Sequence, residues 1–398
     1  VSPYSTVTWL DDWNYSVAAY GPLWLGITVP VALFSGDHPL RYIFGFRALG
    51  LMAHLINTWL VMRILRESGR SPRTVMLGTL LYVLNPLTLI ESALGGHNDT
   101  EMITFLLLGI LLSMRAERRG FARFLDYAPP AAVFTLAILI KYTSIPVLVF
   151  YLVLLARKTM LASAPSSQLP DAPHSRWRAA LFKTGIAGMI SAGIALLAYA
   201  PFWIGHSLKD IVYSFGAPPS TRFAENSIMR SSEDWIYLHG LPPDNSWERA
   251  VLQFMANHST WNIASIVAVL SGMTFGFILL WRKPTTFSLI TAALFTLGAL
   301  LIVTPWLYAW YVTWLVALAA IMFGQPMKGM LHNALIAFAI AFSISIFFIY
   351  MDNDLPVFGN EGFAQSLRIF GIPLAIFLLT LVTQRVWPRV KALSATGE

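Results

Sequence analysis

The chain has 398 residues, of which 56% are hydrophobic and 12% charged, and its net charge is +7. A soluble domain is excluded, because apolar runs of about 20 residues, long enough to cross a bilayer, recur along the chain. Disulfide and thiolate chemistry are excluded by the absence of cysteine. The positive charge indicates basic cytoplasmic loops, so no nucleic-acid partner is expected. The prediction is an all-α polytopic membrane protein with membrane lipid as its surroundings.

The first stretch, VSPYSTVTWLDDWNYSVAAYG, lacks the basic start and the apolar core of a signal peptide. It is typical of the middle of an exposed loop, so we expect a helix upstream of residue 1. The first outer loop is predicted to cover 1–40. Within it the apolar stretch 21–35 is short and carries two prolines, which predicts a helix lying on the outer membrane surface.

Lys and Arg cluster between the apolar segments, and the positive-inside rule places those clusters on the cytoplasmic side. This predicts about eleven crossings in a single membrane domain, 1–398, with residue 1 outside and the C-terminus inside. The crossings are predicted at 41–63, 73–94, 99–114, 125–141, 143–157, 182–204, 260–281, 284–304, 306–324, 330–350 and 364–386. A large outer loop, 205–259, separates the N-terminal helices, 41–204, from the C-terminal ones, 260–398, and could hold a short helix around 246–257.

A polar stretch lies between the second and third apolar segments, at their outer ends. Glu91, His97, Asn98, Asp99 and Glu101 lie close together there, and buried acids near a bilayer need water or a partner. One interpretation is a helix cap by Asn98 or Asp99 with Glu101 in the first turn. A cap needs only one such residue, so the whole set favours a functional site.

Lys141 lies between two apolar halves in LAILIKYTSIPVLV, and the turn is predicted at Lys141-Tyr142-Thr143. The map places Lys141 at the level of Asp99. Lys141 could be a snorkelling lysine at a helix end or a cation that binds a phosphate.

The segment TPWLYAWYVTW crowds aromatic side chains at one helix entry. An interfacial aromatic belt explains them, and a platform on which sugar rings stack is the alternative. The aromatic residues concerned are Trp306, Tyr308, Trp310, Tyr311 and Trp314.

Further candidates lie in the outer loops. Tyr20 belongs to YGPLW, and Arg47 lies among apolar residues at the outer end of the next helix. The loop 216–235 carries Arg222 and Arg230, and a loop of this size favours a lid over the site.

The sequence contains no P-loop, no GxSxG and no HExxH motif. Acids, cations and aromatics at one membrane face favour a transfer reaction from a lipid-linked phosphate. Lys and Arg would neutralise the leaving phosphate, and a carboxylate would deprotonate an acceptor hydroxyl.

The chain resembles the GT-C superfamily of membrane glycosyltransferases, and within it the bacterial polyprenol-phosphate-mannose-dependent mannosyltransferases. The resemblance is carried, in the family's order, by VSPY, YGPLW, FRALGLMAHLINTWLVMRIL, NPLTLIESALGGHND, LIKYTSIPVLVFYLVLL and PWLYAWYVTWLVALA. It implies transfer, with inversion, of a hexose such as mannose from a polyprenyl-phosphate sugar to a glycolipid or glycan acceptor. It also implies an active site on the outer face of a bacterial inner membrane, without a metal and without a cofactor.

The resemblance implies that the catalytic carboxylate lies before the stretch that VSPY resembles, upstream of residue 1. Asp11 and Asp12 are possible substitutes, although they lie later than that pattern. Asp99 is the best acid present, as an acceptor-orienting group, and His97 could share that role. Lys141 would bind the donor phosphate.

Two other functions stay open. The first is a transporter or flippase of a lipid-linked saccharide, which would use the same surface without chemistry. The second is a ligase or polymerase that joins preassembled glycans. Polar groups at the middle of the membrane would favour transport, whereas the candidates above cluster at the outer end.

Overall fold

The computed structural model describes residues 20–162, 173–210, 224–324, 330–354 and 363–395. Asp11, Asp12 and Arg222 lie outside these ranges. Within them the chain is almost entirely helical and contains no β-strand, and an isolated bridge pairs Glu225 with Trp306. The prediction of an all-α polytopic membrane protein is confirmed.

The helices follow one another with short connections. In chain order they are α1 Pro22–Ser35, α2 Pro39–Glu67, α3 Pro72–Val83, α4 Pro86–Leu89, α5 Asp99–Arg118, α6 Phe124–Ile138, α7 Ile145–Leu161, α8 Pro173–Trp203, α9 Ile228–His239, α10 Trp247–Met255, α11 His258–Arg282, α12 Thr286–Val303, α13 Thr313–Met322, α14 Met330–Ser345, α15 Phe348–Asp354, α16 Phe363–Ser366 and α17 Ile372–Ala395. Two π-helical turns, Ile90–Leu94 and Leu367–Gly371, and two 3₁₀ turns, Tyr142–Ser144 and Ala309–Val312, complete the described elements.

Proline marks the start of several of these helices. Pro22, Pro39, Pro72 and Pro86 each stand in the first turn, where the missing N–H is not needed and the fixed φ suits the helix. Asn85 precedes the last of them, and its side chain accepts hydrogen bonds from two backbone N–H groups. The Asn-Pro pair therefore ends α3 and starts a new helix bent by 53° from it.

Among the described residues, seven helices are long and apolar enough to cross a membrane, or eight if the bent pair from Pro72 to Leu94 is one span. The other three predicted crossings also form helices. Of these, Phe124–Ile138 and Ala309–Met322 are short, while α5 begins with acids and ends with arginines. The number of crossings stays a prediction. The short apolar helix α1 occupies the stretch predicted to lie on the surface.

Helix α13 lies at the centre of the bundle. Every one of its residues is buried, and it packs against α2, α3, α5, α12 and α14. It is too apolar to face anything but protein or lipid, and its first turn leads directly from the aromatic segment. The packing of α13 therefore holds that segment against α5, where the polar stretch begins.

The basic clusters predicted to be cytoplasmic meet at one end of the bundle. Glu67 at the end of α2 pairs with Arg63, Arg115 and Arg118. Glu117 at the end of α5 pairs with Lys158 of α7 and accepts hydrogen bonds from the first residue of α12. This basic end lies at the opposite end of α5 from Asp99.

Candidate functional site

Asp99 and Lys141 form a buried ion pair at the outer end. The Lys141 Nζ lies 2.8 Å from Asp99 Oδ1, and the indole Nε1–H of Trp314 donates to the same oxygen at 2.6 Å. Only 1% of Asp99 and 8% of Lys141 is exposed. Two donors on one oxygen, shielded from water, make this a strong charge-assisted contact. The prediction that Asp99 and Lys141 lie at one level agrees with this geometry.

The aromatic segment surrounds the cation. The Lys141 ammonium lies 3.8 Å from the ring centre of Tyr311 and 5.0 Å from that of Trp314, close enough for cation–π attraction. The two rings stack on each other with centroids 5.1 Å apart. Snorkelling of Lys141 toward the surface, one of the two interpretations above, is therefore wrong, because its head group points into the protein.

A second aromatic layer includes His97. Its imidazole stacks on Trp310 with centroids 3.7 Å apart, and Trp310 stacks on Tyr308 at 4.3 Å. Trp306 meets Tyr308 edge-on at 5.3 Å. The rings thus pack on one another and on the polar stretch, an arrangement that an interfacial belt does not require.

Glu91 contacts the imidazole of His97. Its Oε2 lies 3.3 Å from His97 Nε2, and its Oε1 accepts a hydrogen bond from the Tyr350 hydroxyl at 2.5 Å. Glu91 is buried in the π-helical turn Ile90–Leu94, a widened turn that often occurs at functional sites. Contact with Glu91 favours the tautomer with hydrogen on Nε2, which leaves Nδ1 as an acceptor.

Glycines allow the outer segments to approach closely. Gly21 N–H donates to Ile140 O at 3.1 Å, and a Cβ on Gly21 would lie 2.1 Å from Leu139 O. Gly96 has φ +66° and faces the backbone of Phe46. Both positions therefore require glycine, and they fix α1 and the polar stretch beside Lys141.

An open cleft lies beside Asn98, the neighbour of Asp99 in the chain, and its empty space of about 940 Å³ includes open solvent. Arg47 lines it and donates from Nε to Leu94 O at 2.9 Å, while its terminal nitrogens bond to no residue that the structure describes. Tyr20 lines the same cleft, together with Trp24, Tyr42, Ile43, Phe46, Leu94, Gly95, Gly96, His97 and Asn98. Four of the predicted site residues therefore line one cleft, namely Tyr20, Arg47, His97 and Asn98.

Asn98 and Asp99 stand at the start of α5. Asn98 occupies the N-cap position of α5 and Glu101 lies in its first turn, as the cap interpretation predicted, but the Asn98 side chain makes no capping bond. Asn98 Nδ2 and Asp99 Oδ2 are buried and have no hydrogen-bond partner within the described ranges. A buried donor beside a buried acceptor suits a hydroxylated ligand.

Some predicted residues lie elsewhere. The Tyr142 hydroxyl contacts Tyr199 of α8. Arg230 is exposed on α9 and pairs with Asp234 at 3.1 Å. The nearby Glu225 does reach the site, because its backbone pairs with the aromatic segment at Trp306. The described part of the predicted lid is thus attached to that segment.

The surroundings shift the pKa values of His97 and Tyr20, which lie outside the predicted membrane-spanning segments. Burial lowers the pKa of His97 to about 4; Lys141 adds to the shift and Asp99 opposes it. His97 is therefore neutral at pH 7. Burial, aided by the charge of Asp99, raises the pKa of Tyr20, so its hydroxyl keeps its proton. In the part of the chain that the structure describes, no group of three His, Asp or Glu side chains could hold a metal.

Sequence reasoning missed two members of the site. Trp314 was one aromatic among several, and only the fold of α13 shows that its indole reaches Asp99. The partner of Glu91, Tyr350, is far away in the chain, so no local pattern could have found it.

Comparison with known proteins points in one direction. Residues 5–157 match the family described as "Alpha-(1->6)-mannopyranosyltransferase, N-terminal domain". The chain is 23% identical over 188 residues to alpha-(1->6)-mannopyranosyltransferase A of Corynebacterium glutamicum, which covers 47% of this chain and 36% of that protein. It is 27% identical over 107 residues to alpha-(1->6)-mannopyranosyltransferase B of the same organism, covering 27% of this chain and 17% of that protein.

The matches thus span about a third or less of these relatives, and no solved structure matches the chain. The matched region contains the polar stretch, Lys141 and the outer cleft. The chain is therefore related, through residues 5–157, to the alpha-(1->6)-mannopyranosyltransferases, and its resemblance to GT-C membrane mannosyltransferases is confirmed.

Proposed function

We propose that the chain transfers mannose from a polyprenyl-phosphate donor to a hydroxyl of a glycolipid or glycan acceptor. The site would face outward from a bacterial inner membrane. The relationship to mannosyltransferases supports the class of reaction. The observation that carries the proposal is the buried Asp99–Lys141 pair beside a cleft with an aromatic stack.

The sugar would lie against the stack of His97, Trp310 and Tyr308. Aromatic faces pack well on the apolar faces of sugar rings, and these three rings are partly rather than fully buried. Asn98 Nδ2 can donate to a sugar hydroxyl, and Asp99 Oδ2 can accept from one. Asp99 would thereby orient a hydroxyl while its other oxygen holds Lys141 and Trp314.

The donor phosphate would enter the cleft beside Arg47. Arg47 is exposed there, and within the described residues its side chain is anchored through Nε, so its terminal nitrogens can bind a phosphate. Lys141 provides a second positive charge behind the cleft, although Asp99 balances much of it. Both cations would stabilise the negative charge that develops on the leaving phosphate.

In the reaction, the acceptor oxygen forms a bond to C1 of the sugar from the face opposite the phosphate. The bond between C1 and the phosphate oxygen breaks, and its electron pair leaves with polyprenyl phosphate. The hydroxyl proton passes to a base. Asp11, Asp12, Asp99 and the Glu91-oriented His97 are the candidates for that base in this chain, with His97 able to accept through Nδ1.

The test compares Asp99→Asn with a matched change at Asp126. Asp126 is a buried acid at the basic end, where it accepts a bond from Arg123 N–H at 2.9 Å. Membranes containing each variant would receive radiolabelled polyprenyl-phosphate mannose and a mannosylated lipid acceptor. We expect Asp99→Asn to lower transfer at least about a hundredfold and Asp126→Asn to leave it within a few-fold.

Equal transfer by Asp99→Asn and wild type would place the site elsewhere. A wild-type protein that transfers nothing, yet carries labelled lipid across proteoliposomes, would replace the transferase with a flippase. Transfer of whole glycan chains, with no use of the labelled monosaccharide donor, would indicate a ligase or polymerase.

A further inference from the structure

A second groove lies at the basic end, remote from the outer cleft. It runs between α2 and α3 and contains about 920 Å³ of empty space. We call it the α2–α3 groove. Its lining residues are Met62, Arg66, Arg70, Pro72, Val75, Met76, Thr79 and Leu80. None of them takes part in the reaction proposed above.

The mouth of the groove carries positive charge without acid partners. Glu67, the nearby acid, is already shared by Arg63, Arg115 and Arg118. Arg66 and Arg70 form no ion pair with any acid that the structure describes. Arg70 donates from Nη1 to Gly324 O at 3.0 Å, while its buried Nε has no acceptor among the described residues. Arg66 in the last turn of α2 and Arg70 in the loop that follows it both line the groove, so together they offer a site for an anion.

The wall of the groove is apolar. Met62, Val75, Met76 and Leu80 line it below the arginines, and Met76 is 54% exposed. From Pro72 to Leu80 the helix rises about 12 Å, which takes the groove from the membrane boundary well into the hydrocarbon layer. The apolar walls therefore suit an acyl chain, which a free inorganic anion does not carry.

The two parts together specify an amphiphile. We propose that the α2–α3 groove binds an acidic glycerophospholipid, with its phosphate against Arg66 and Arg70 and one acyl chain along Met62, Met76 and Leu80. The basic clusters place this end of the bundle at the cytoplasmic leaflet, where anionic lipids attract juxtamembrane arginines. Because the groove joins α2 to α3 and Arg70 also contacts the end of α13, the lipid would brace these three helices.

The experiment measures lipid retention on the purified full chain. Native mass spectrometry in a mild detergent would count bound phosphatidylglycerol as the lipid is titrated. We expect the double variant Arg66→Gln/Arg70→Gln to lower the apparent affinity about tenfold or more. Arg73→Gln, which removes a neighbouring charge outside the groove, should stay within twofold of wild type.

A second variant separates loss of binding from loss of folding. Met76→Trp keeps both arginines but fills the groove, and is also expected to lower retention; each variant must remain monodisperse and melt cooperatively. Equal loss in Arg73→Gln and the double variant would overturn the proposal in favour of diffuse charge attraction. Equal retention of phosphatidylcholine, or displacement of the lipid by millimolar inorganic phosphate, would overturn it as well.

Discussion

The two ends of the bundle both join acids to bases, but in different surroundings. At the outer end one carboxylate, Asp99, meets one ammonium, and both are almost fully buried. At the basic end Glu67 meets three guanidinium groups whose side chains are 35–51% exposed. At the outer end, Asp99 Oδ2 has no hydrogen-bond donor among the described residues. At the basic end, Glu67 is shared by three arginine side chains.

The difference shows that burial determines how much an ion pair contributes to stability. Exposed pairs contribute about 0–1 kcal/mol each, because water screens them, and their main effect here is to fix orientation across the membrane. Burying both charges of a pair costs desolvation free energy, and removing one partner costs more because the other charge is left buried and unpaired. The site proposed above would explain the presence of a buried pair at the outer end, and the following changes test that contrast.

The largest effect is expected from Lys141→Met. Removal of the ammonium leaves a buried carboxylate with only Trp314 as donor, which should lower the free energy of unfolding by about 3–5 kcal/mol and abolish transfer. Thermal melting of the purified protein measures the first quantity. The double variant Lys141→Met/Asp99→Leu should regain much of the stability and none of the activity; no recovery would mean that Lys141 acts through packing alone.

Gly21→Ala should come next. Its Cβ would lie 2.1 Å from Leu139 O, so α1 or the turn before Lys141 must move, at about 1–3 kcal/mol. We expect transfer to fall about tenfold. Gly26→Ala in the same helix is the matched control, since nothing lies within 4 Å of its Cβ, and it should behave as wild type. Equal behaviour of the two variants would contradict the close approach.

Glu91→Gln should reduce transfer with little change in melting temperature. The amide can donate to His97 Nε2 and so favour the wrong tautomer, which is expected to lower the rate by about tenfold to a hundredfold. Tyr350→Phe, which removes one hydrogen bond to Glu91, should cause a smaller loss. Histidine-selective ¹⁵N spectra, assigned with His97→Gln, would show the tautomer directly. An unchanged tautomer in Glu91→Gln would refute the orienting role.

A pH effect of moderate size should arise from His97. Its pKa in the folded chain is about 4, below the ordinary value of 6.5, so the unfolded chain binds the proton first as pH falls. The contribution of neutral His97 to the free energy of unfolding is therefore complete above pH 6.5 and is lost as the pH falls toward 4. Between pH 7.5 and pH 5 the melting temperature should fall further in the wild type than in His97→Gln. Parallel losses would show that other groups dominate.

The smallest effect should follow Arg118→Gln at the basic end. Its side chain is 51% exposed, and Glu67 keeps two other arginines, so the free energy of unfolding should change by less than about 1 kcal/mol. Transfer should be unaffected. A large loss of transfer would mean that the two ends are coupled through α5, against the contrast drawn above.

Much of the architecture could be predicted because it depends on local patterns. Apolar length predicted where helices run, and the break at Lys141 lies where two apolar halves meet. The short helix expected around 246–257 occurs as Trp247–Met255. The number of crossings is less accessible, because α5 combines terminal charges with an apolar middle and composition alone does not say how such a helix lies.

The site could be predicted only in part. Asp99, Lys141 and His97 were visible as polar residues in apolar surroundings, a signal that needs no partner. Their roles depend on contacts between distant segments, as with Trp314 and Tyr350. Arg230 gave a weaker signal, because it was chosen from a polar segment where charge carries little information, and in the structure it pairs within its own helix.

The π-helical turn at Ile90–Leu94 has a consequence for the lineage of this protein. One extra residue in that turn rotates everything after it by about 100° relative to a regular helix. A deletion of a single residue between Asn85 and Glu91 would therefore turn Glu91 away from Tyr350 and His97 together. The spacing from Asn-Pro to Glu91 is thus expected to vary far less among related sequences than the identity of the apolar residues between them.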